Sequence, residues 1–179
     1  MRSWRGKGIL AVVTLVLTFS GTAWAALDDD RCSNATLTGA YGFRVVGQGP
    51  GTSVTAAVGM KHFDGAGTLT QIDFAVTDGL PQAGEVDATT GAFQFRTGQT
   101  GTYTVNPDCT GSMEIHLVPP GTPGGVIKIM FVLSNHGRAI HEVVAEIISP
   151  GGTEPMLITT YVDAWKLGSV REDEDRDHK

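Results

Sequence analysis

Five histidines and two cysteines are the residues of this chain best suited to chemistry, and their neighbours decide which of them could do any. His141 stands in a strand-like run from 138 to 148. Ala139, His141, Val143, Ala145 and Ile147 share one face of it, and Ile140, Glu142, Val144, Glu146 and Ile148 the other. An imidazole on an apolar wall is a poised acid, base or ligand once a partner orients it. The face with His141 carries no carboxylate, so it is expected to point inward and to leave Glu142 and Glu146 outward. His62, which shares parity with Val58 and Met60, has the same two readings, a ligand-binding group or an ordinary wall histidine. Neither has a His-x-His neighbour or a nameable third ligand, so no metal is expected. Glu114 and His116 alternate with Met113, Ile115 and Leu117 as a solvated face, and no Ser-His-Asp or Cys-His order can be read along the chain. No catalytic set follows. Gly49-Pro50-Gly51 and Gly65-Ala66-Gly67 fall in turns between strands, not between a strand and a helix, so no dinucleotide or other cofactor is expected.

What the cysteines do depends on the compartment, and the N-terminus addresses that. Arg2, Arg5 and Lys7 form a positive segment, Ile9 to Phe19 an apolar run of 11 residues, and Ala23-Trp24-Ala25 a small-x-small site. Residues 1–25 therefore read as a signal peptide cut after Ala25. A spanning helix needs about 20 apolar residues, and Ser20, Gly21 and Thr22 end this run sooner. Cys32 follows Asp28-Asp29-Asp30-Arg31, not the apolar run, so no lipid anchor and no membrane insertion after cleavage are expected. The mature protein is read as secreted or periplasmic. Such compartments favour oxidation, and Cys32 and Cys109 are expected to form one disulfide closing a loop of 78 residues. Their spacing is neither the Cys-x-x-Cys of a redox pair nor a zinc pattern. Without the leader, 10 basic residues face 19 acidic ones, a net charge of −9 that argues against nucleic acid as a partner.

Positioning of any site falls to strands. Glycine, 24 of 179 residues, is about twice its usual share of roughly 7% and separates short Val/Ile/Thr/Phe runs. Alternation is visible in Tyr41, Phe43 and Val45, then in Val54, Ala56, Val58 and Met60, then in Ile72, Phe74 and Val76. Breakers follow each run, among them Asp64-Gly65-Ala66-Gly67 and Asn106-Pro107-Asp108. One or two weaker strands are expected over 84–97. Val126 to Ser134 is nearly continuously apolar and reads as a strand covered on both faces. No helical period is long enough for a parallel crossover, so antiparallel pairing is expected throughout, in an up-and-down barrel of about eight strands in preference to a sandwich. The chain divides into a leader at 1–25, a lead-in at 26–37, a β-barrel domain at 38–167 and a disordered acidic tail at 168–179, which has almost nothing apolar to bury.

Cys32-Ser33-Asn34-Ala35-Thr36-Leu37-Thr38-Gly39-Ala40-Tyr41-Gly42-Phe43, Phe63-Asp64-Gly65-Ala66-Gly67 and Gly101-Thr102-Tyr103-Thr104-Val105-Asn106-Pro107-Asp108-Cys109-Thr110-Gly111 together resemble a group of exported bacterial proteins described as calycin-like, with an allene-oxide-cyclase-like barrel. The resemblance covers most of 32–148. It implies an all-β barrel of eight strands and the Cys32–Cys109 bridge, and it brings no activity, because the acid and proline arrangement of the plant cyclase cannot be mapped here.

Three functions fit. A small barrel can carry one hydrophobic small molecule, with His141 and His62 as ligand-binding groups. It can be a structural or interaction module of the cell envelope with a filled interior. It can also be an isomerase or cyclase acting on an apolar substrate. An open interior of about 300 Å³ or more separates the first and third from the second.

Overall fold

The computed structural model describes residues 31–168, except 50–51, 83, 118–123, 150, 153 and 157. The leader expected over 1–25, residues 26–30 of the lead-in and residues 169–179 of the tail lie outside the described residues.

Among the described residues a single 3-10 turn, Asn34–Thr36, precedes ten strands. They are β1 (Thr38–Gln48), β2 (Val54–Asp64), β3 (Thr68–Thr77), β4 (Leu80–Pro81), β5 (Arg96–Val105), β6 (Thr110–Leu117), β7 (Gly125–Ser134), β8 (Ala139–Ile148), β9 (Pro155–Met156) and β10 (Thr159–Lys166). Neighbours pair in the order β10-β1-β2-β3-β5-β6-β7-β8, and β8 pairs back with β10, so eight strands close on themselves. All pairings are antiparallel, and the two-residue β4 and β9 are appended to β3 and β8. The all-β barrel expected from turn spacing is the fold. The 84–97 region differs from expectation. Residues 84–95 hold an isolated bridge, Val86 to Phe93, with a regular strand beginning only at Arg96, and Phe93 and Phe95 stand edge-on against Phe74 at 5.7 and 6.4 Å between ring centroids.

One end of the barrel is shut. The hairpin after β2 turns on Asp64, whose carboxylate accepts the amides of Ala66, Gly67 and Thr68 and the Thr68 hydroxyl, bonds that hold its pKa far below the usual range. The Cys32–Cys109 disulfide, with Cα atoms 4.9 Å apart, pins the lead-in across this end. Asn34 accepts the Val105 amide at 2.8 Å, and the Tyr103 hydroxyl donates to the carbonyls of Asn34 and Leu37 at 3.1 and 3.0 Å. Beneath, Phe63 takes Tyr41 and Tyr103 edge-on at 5.3 and 5.1 Å, and Leu37 is fully buried. The Tyr41 hydroxyl donates to the Gly137 carbonyl at 2.6 Å, so both tyrosines have their polar ends satisfied while their rings fill the barrel.

Parity decides what faces inward, and in β8 the outcome differs from expectation. In β2 the inward set is Thr55, Ala57, Gly59, Lys61 and Phe63, and in β3 it is Leu69, Gln71, Asp73, Ala75 and Thr77. Val54, Val58, Phe74 and Val76 belong to the outer face. In β8 Ile140, Glu142 and Val144 point in, while His141 and Val143 are exposed. A bulge at Ala145 then brings Ile147 inward opposite Ile127, which strict alternation would not. Nor is β7 covered on both sides. Ile129, Phe131 and Leu133 are buried, but Met130 and Val132 are 56% and 50% exposed, as in any strand of a single-walled barrel.

Candidate functional site

The other end of the barrel leads into a cavity of about 400 Å³. Small side chains make the room: Val45, Ala57 and Ala75 are cross-strand partners along one wall. Ile115, Leu117, Ile127, Ile129, Val144 and Ile147 form much of the opposite wall. At depth the cavity meets Phe43, whose ring lies over Gly59 so closely that a β-carbon there would come within 2.5 Å of it.

Two polar groups of residues interrupt this apolar lining. The first is an ion pair across the lumen. Lys61 of β2 bonds Glu142 of β8 through Nζ and Oε2, although β1 and β10 lie between their strands. Lys61 is 1% exposed and Glu142 3%. The Lys61 ammonium also stands 5.1 Å from the Phe43 ring centroid, on its cation-attracting face. Glu142 Oε1 has no hydrogen-bond partner among the described residues. Burial pushes the Glu142 carboxyl above the ordinary carboxylate range, against the pull of Lys61.

The second group stitches a gap in the wall. Pairing of β3 with β5 ends at Asp73 and Arg96, and β3 next pairs with β4 at Val76. Between these points the buried Glu85 carboxylate reaches in, accepting the amides of Ala75 through Oε1 and of Gln82 at 2.8 Å through Oε2. Arg96 forks onto Asp73 with bonds of 3.0 and 2.7 Å, stands 3.3 Å from Glu85 and donates to Gln82. Gln99 donates to Asp73 and accepts from Gln71 at 3.0 Å. Burial raises the Glu85 carboxyl as well, opposed by the two amides and by Arg96. Among the described residues two cations, Lys61 and Arg96, thus face three buried carboxylates, Asp73, Glu85 and Glu142.

A carboxyl held higher in the folded than in the unfolded chain gives stability that is full below the ordinary carboxylate range and falls as pH rises through the folded value. Stability should therefore decline in the window that opens as pH rises above the ordinary carboxylate range, on account of Glu142 and Glu85, and Glu142→Gln should flatten that slope. Urea midpoints of both proteins across the window check this. A variant with the same slope as the parent would exclude Glu142 as its source.

The histidines lie elsewhere. His62 is on the exposed outer face of β2, and the His141 side chain, 56% exposed, is on the outer wall, opposite to the inward placement read from its carboxylate-free face. Glu142 holds the inward position instead, because a charge can be buried when a partner reaches it across the lumen. The structure gives His141 partners invisible in chain order: Ser134 Oγ at 3.0 Å from Nε2 and Asp163 Oδ1 at 3.1 Å from Nδ1. Arg44 stands 3.6 Å from the same aspartate. The Ser134–His141–Asp163 order is that of a hydrolase relay, but the three stand on a convex, wetted wall, where they tie β7, β8 and β10 together. Glu114 and His116 form the solvated pair expected of them, 3.2 Å apart. The described residues bring no three His, Cys, Asp or Glu side chains into a metal-holding group.

Lys61, Asp73 and Arg96 were not among the residues singled out from sequence, and Glu142 was read there as an outward carboxylate. The usable signal was a charged residue sharing parity with small or aromatic ones, as in Ala57, Gly59, Lys61 and Phe63.

No family model matches the chain, and no curated protein does. Two chains of solved structure match. One is an S-type phycobiliprotein lyase from Guillardia theta, 9% identical, with a TM-score of 0.37 over 79% of this chain and 96% of that one. A likeness of that degree transfers neither ligand nor activity.

Proposed function

We propose that this protein is an exported carrier whose barrel takes up one hydrophobic small molecule through its open end. The observation behind the reading is the one-ended cavity of about 400 Å³, walled mainly by aliphatic side chains and within the range of roughly 300 to 1,000 Å³ usual for ligand sites. The leader-like N-terminus and the Cys32–Cys109 disulfide support a periplasmic or extracellular setting. His141 and His62 stand on the outer face and take no part in this reading.

Titration with the neutral fluorophore N-phenyl-1-naphthylamine tests it. Saturable binding at one site is expected, and Ala57→Phe, which places a ring in the narrow wall between Val45 and Ala75, should weaken it at least about tenfold, the loss of roughly 1.4 kcal/mol. His141→Leu should bind as the parent does. An intact protein that takes up no probe would sink the carrier reading and favour an envelope module. Undiminished binding by Ala57→Phe would place the site outside the lumen.

A further inference from the structure

We propose that the ligand of this lumen is a neutral apolar molecule bearing a carbonyl, and that Lys61 holds the carbonyl oxygen at the inner end of the cavity. The inference rests on the carrier reading and specifies the chemistry of what is carried.

The argument begins with donors. An ammonium has three N–H groups, and the acceptor bonded to Lys61 among the described residues is Glu142 Oε2. Lys61 itself lines the cavity, whereas Glu142 lies behind it with no exposed carboxylate surface. A ligand reaching the inner end therefore meets a donor with capacity to spare, backed by its own counter-charge. Arg96 also lines the cavity, but its guanidinium is already bonded to Asp73 and Gln82 and close to Glu85. Gln99 is bonded to Asp73, and Gln71 to Gln99.

Charge then sorts the ligands. Among the described residues the interior holds Lys61 and Arg96 against Asp73, Glu85 and Glu142, so a carboxylate ligand would bring a fourth negative group into an apolar space whose two cations are already paired. An alkylammonium would set a second cation against Lys61 and find Glu142 Oε2 already taken. The anion must give up its hydration for a cation that Glu142 already neutralises, and the alkylammonium for a neighbour of like charge. A ketone or aldehyde gives up little hydration, adds no charge and accepts the bond that Lys61 has left to donate.

The test is displacement of N-phenyl-1-naphthylamine from the full chain by 2-undecanone, decanoate and decylammonium, matched in chain length. The ketone is expected to displace the probe at a concentration about tenfold below either ion, the worth of one hydrogen bond to a charged donor. The double variant Lys61→Met/Glu142→Gln removes both charges together, so that neither is left buried alone. It should still bind the probe and lose the ketone's advantage. In the intact protein, the carbonyl stretch of bound, ¹³C-labelled 2-undecanone should fall below its value in hydrocarbon solvent, a readout that needs no variant. Decanoate or decylammonium competing as well as the ketone, a double variant that keeps the preference, or an unshifted carbonyl stretch would each overturn the proposal while leaving the carrier reading standing. Failure of the probe itself to bind would overturn both.

Discussion

Arg96→Leu should lower the unfolding free energy by about 3 to 5 kcal/mol, the loss typical when one partner of a buried ion pair is removed. Arg96 is the cation shared by Asp73 and Glu85, and all three side chains are buried. Without it, two carboxylates remain in the wall of the barrel with only the amides of Ala75 and Gln82 and the Gln99 side chain to satisfy them. Arg96→Lys should cost less but still be damaging, because an ammonium keeps the charge and loses the two-pronged contact to Asp73. Adding Asp73→Asn and Glu85→Gln to Arg96→Leu should recover much of the loss, since the penalty comes from orphaned charge. Urea unfolding of the single and triple variants measures this, and a single variant within about 1 kcal/mol of the parent would show that water already reaches the carboxylates.

Opening the disulfide is expected to have an effect of similar size. Cys32 and Cys109 are 77 residues apart, and closing so long a loop in the unfolded chain corresponds to roughly 4 to 5 kcal/mol in the chain-entropy model, within a usual range of about 2 to 5 for loss of a native bridge. The loss should be felt first at the shut end. Freed from Cys109, the lead-in holds its place through Asn34 and the carbonyls that Tyr103 reaches. Cys109→Ser and the reduced parent should unfold at the same urea midpoint, well below that of the oxidised protein, and amide exchange at Val105 should quicken before exchange at Ile127 does. Equal midpoints for oxidised and reduced protein would refute the prediction.

Strand positions and the barrel were legible in the sequence because turns and strands are local. Asp64-Gly65-Ala66-Gly67 announces its hairpin, and alternation over ten residues leaves little doubt about a strand. The side each strand turns inward was not legible, because apolarity was a poor guide to it. Val54, Val58 and Val76 form the more apolar parity of β2 and β3 and yet face out, while Lys61, Gln71 and Asp73 face in. Lys61 and Glu142 are 81 residues apart on strands that are not neighbours, so nothing near either one reveals the partner that makes its burial tolerable. The bulge at Ala145 has no glycine or proline to mark it. His141 drew notice because its face lacked charge, yet the feature that mattered was the carboxylate beside it.

The closure of the wall by β1 against β10 also governs the order in which the chain can become a barrel. Tyr41 pairs with Lys166 and Gln48 with Thr159, so the seam joins the first strand made to the last. Every other neighbour in the ring is next or nearly next in sequence and can form a hairpin or meander as soon as both strands exist. The seam cannot form until residues 159–166 arrive, and contacts of such separation form slowly. Until then β1 and β8 each offer a row of unpaired amides and carbonyls, and β8 carries Ile140, Val143, Val144, Ile147 and Ile148 along that edge. A chain shortened before Thr159 is thus an open sheet with two sticky borders and an uncovered lumen, and the few residues of β10 separate a sealed vessel from a template for aggregation.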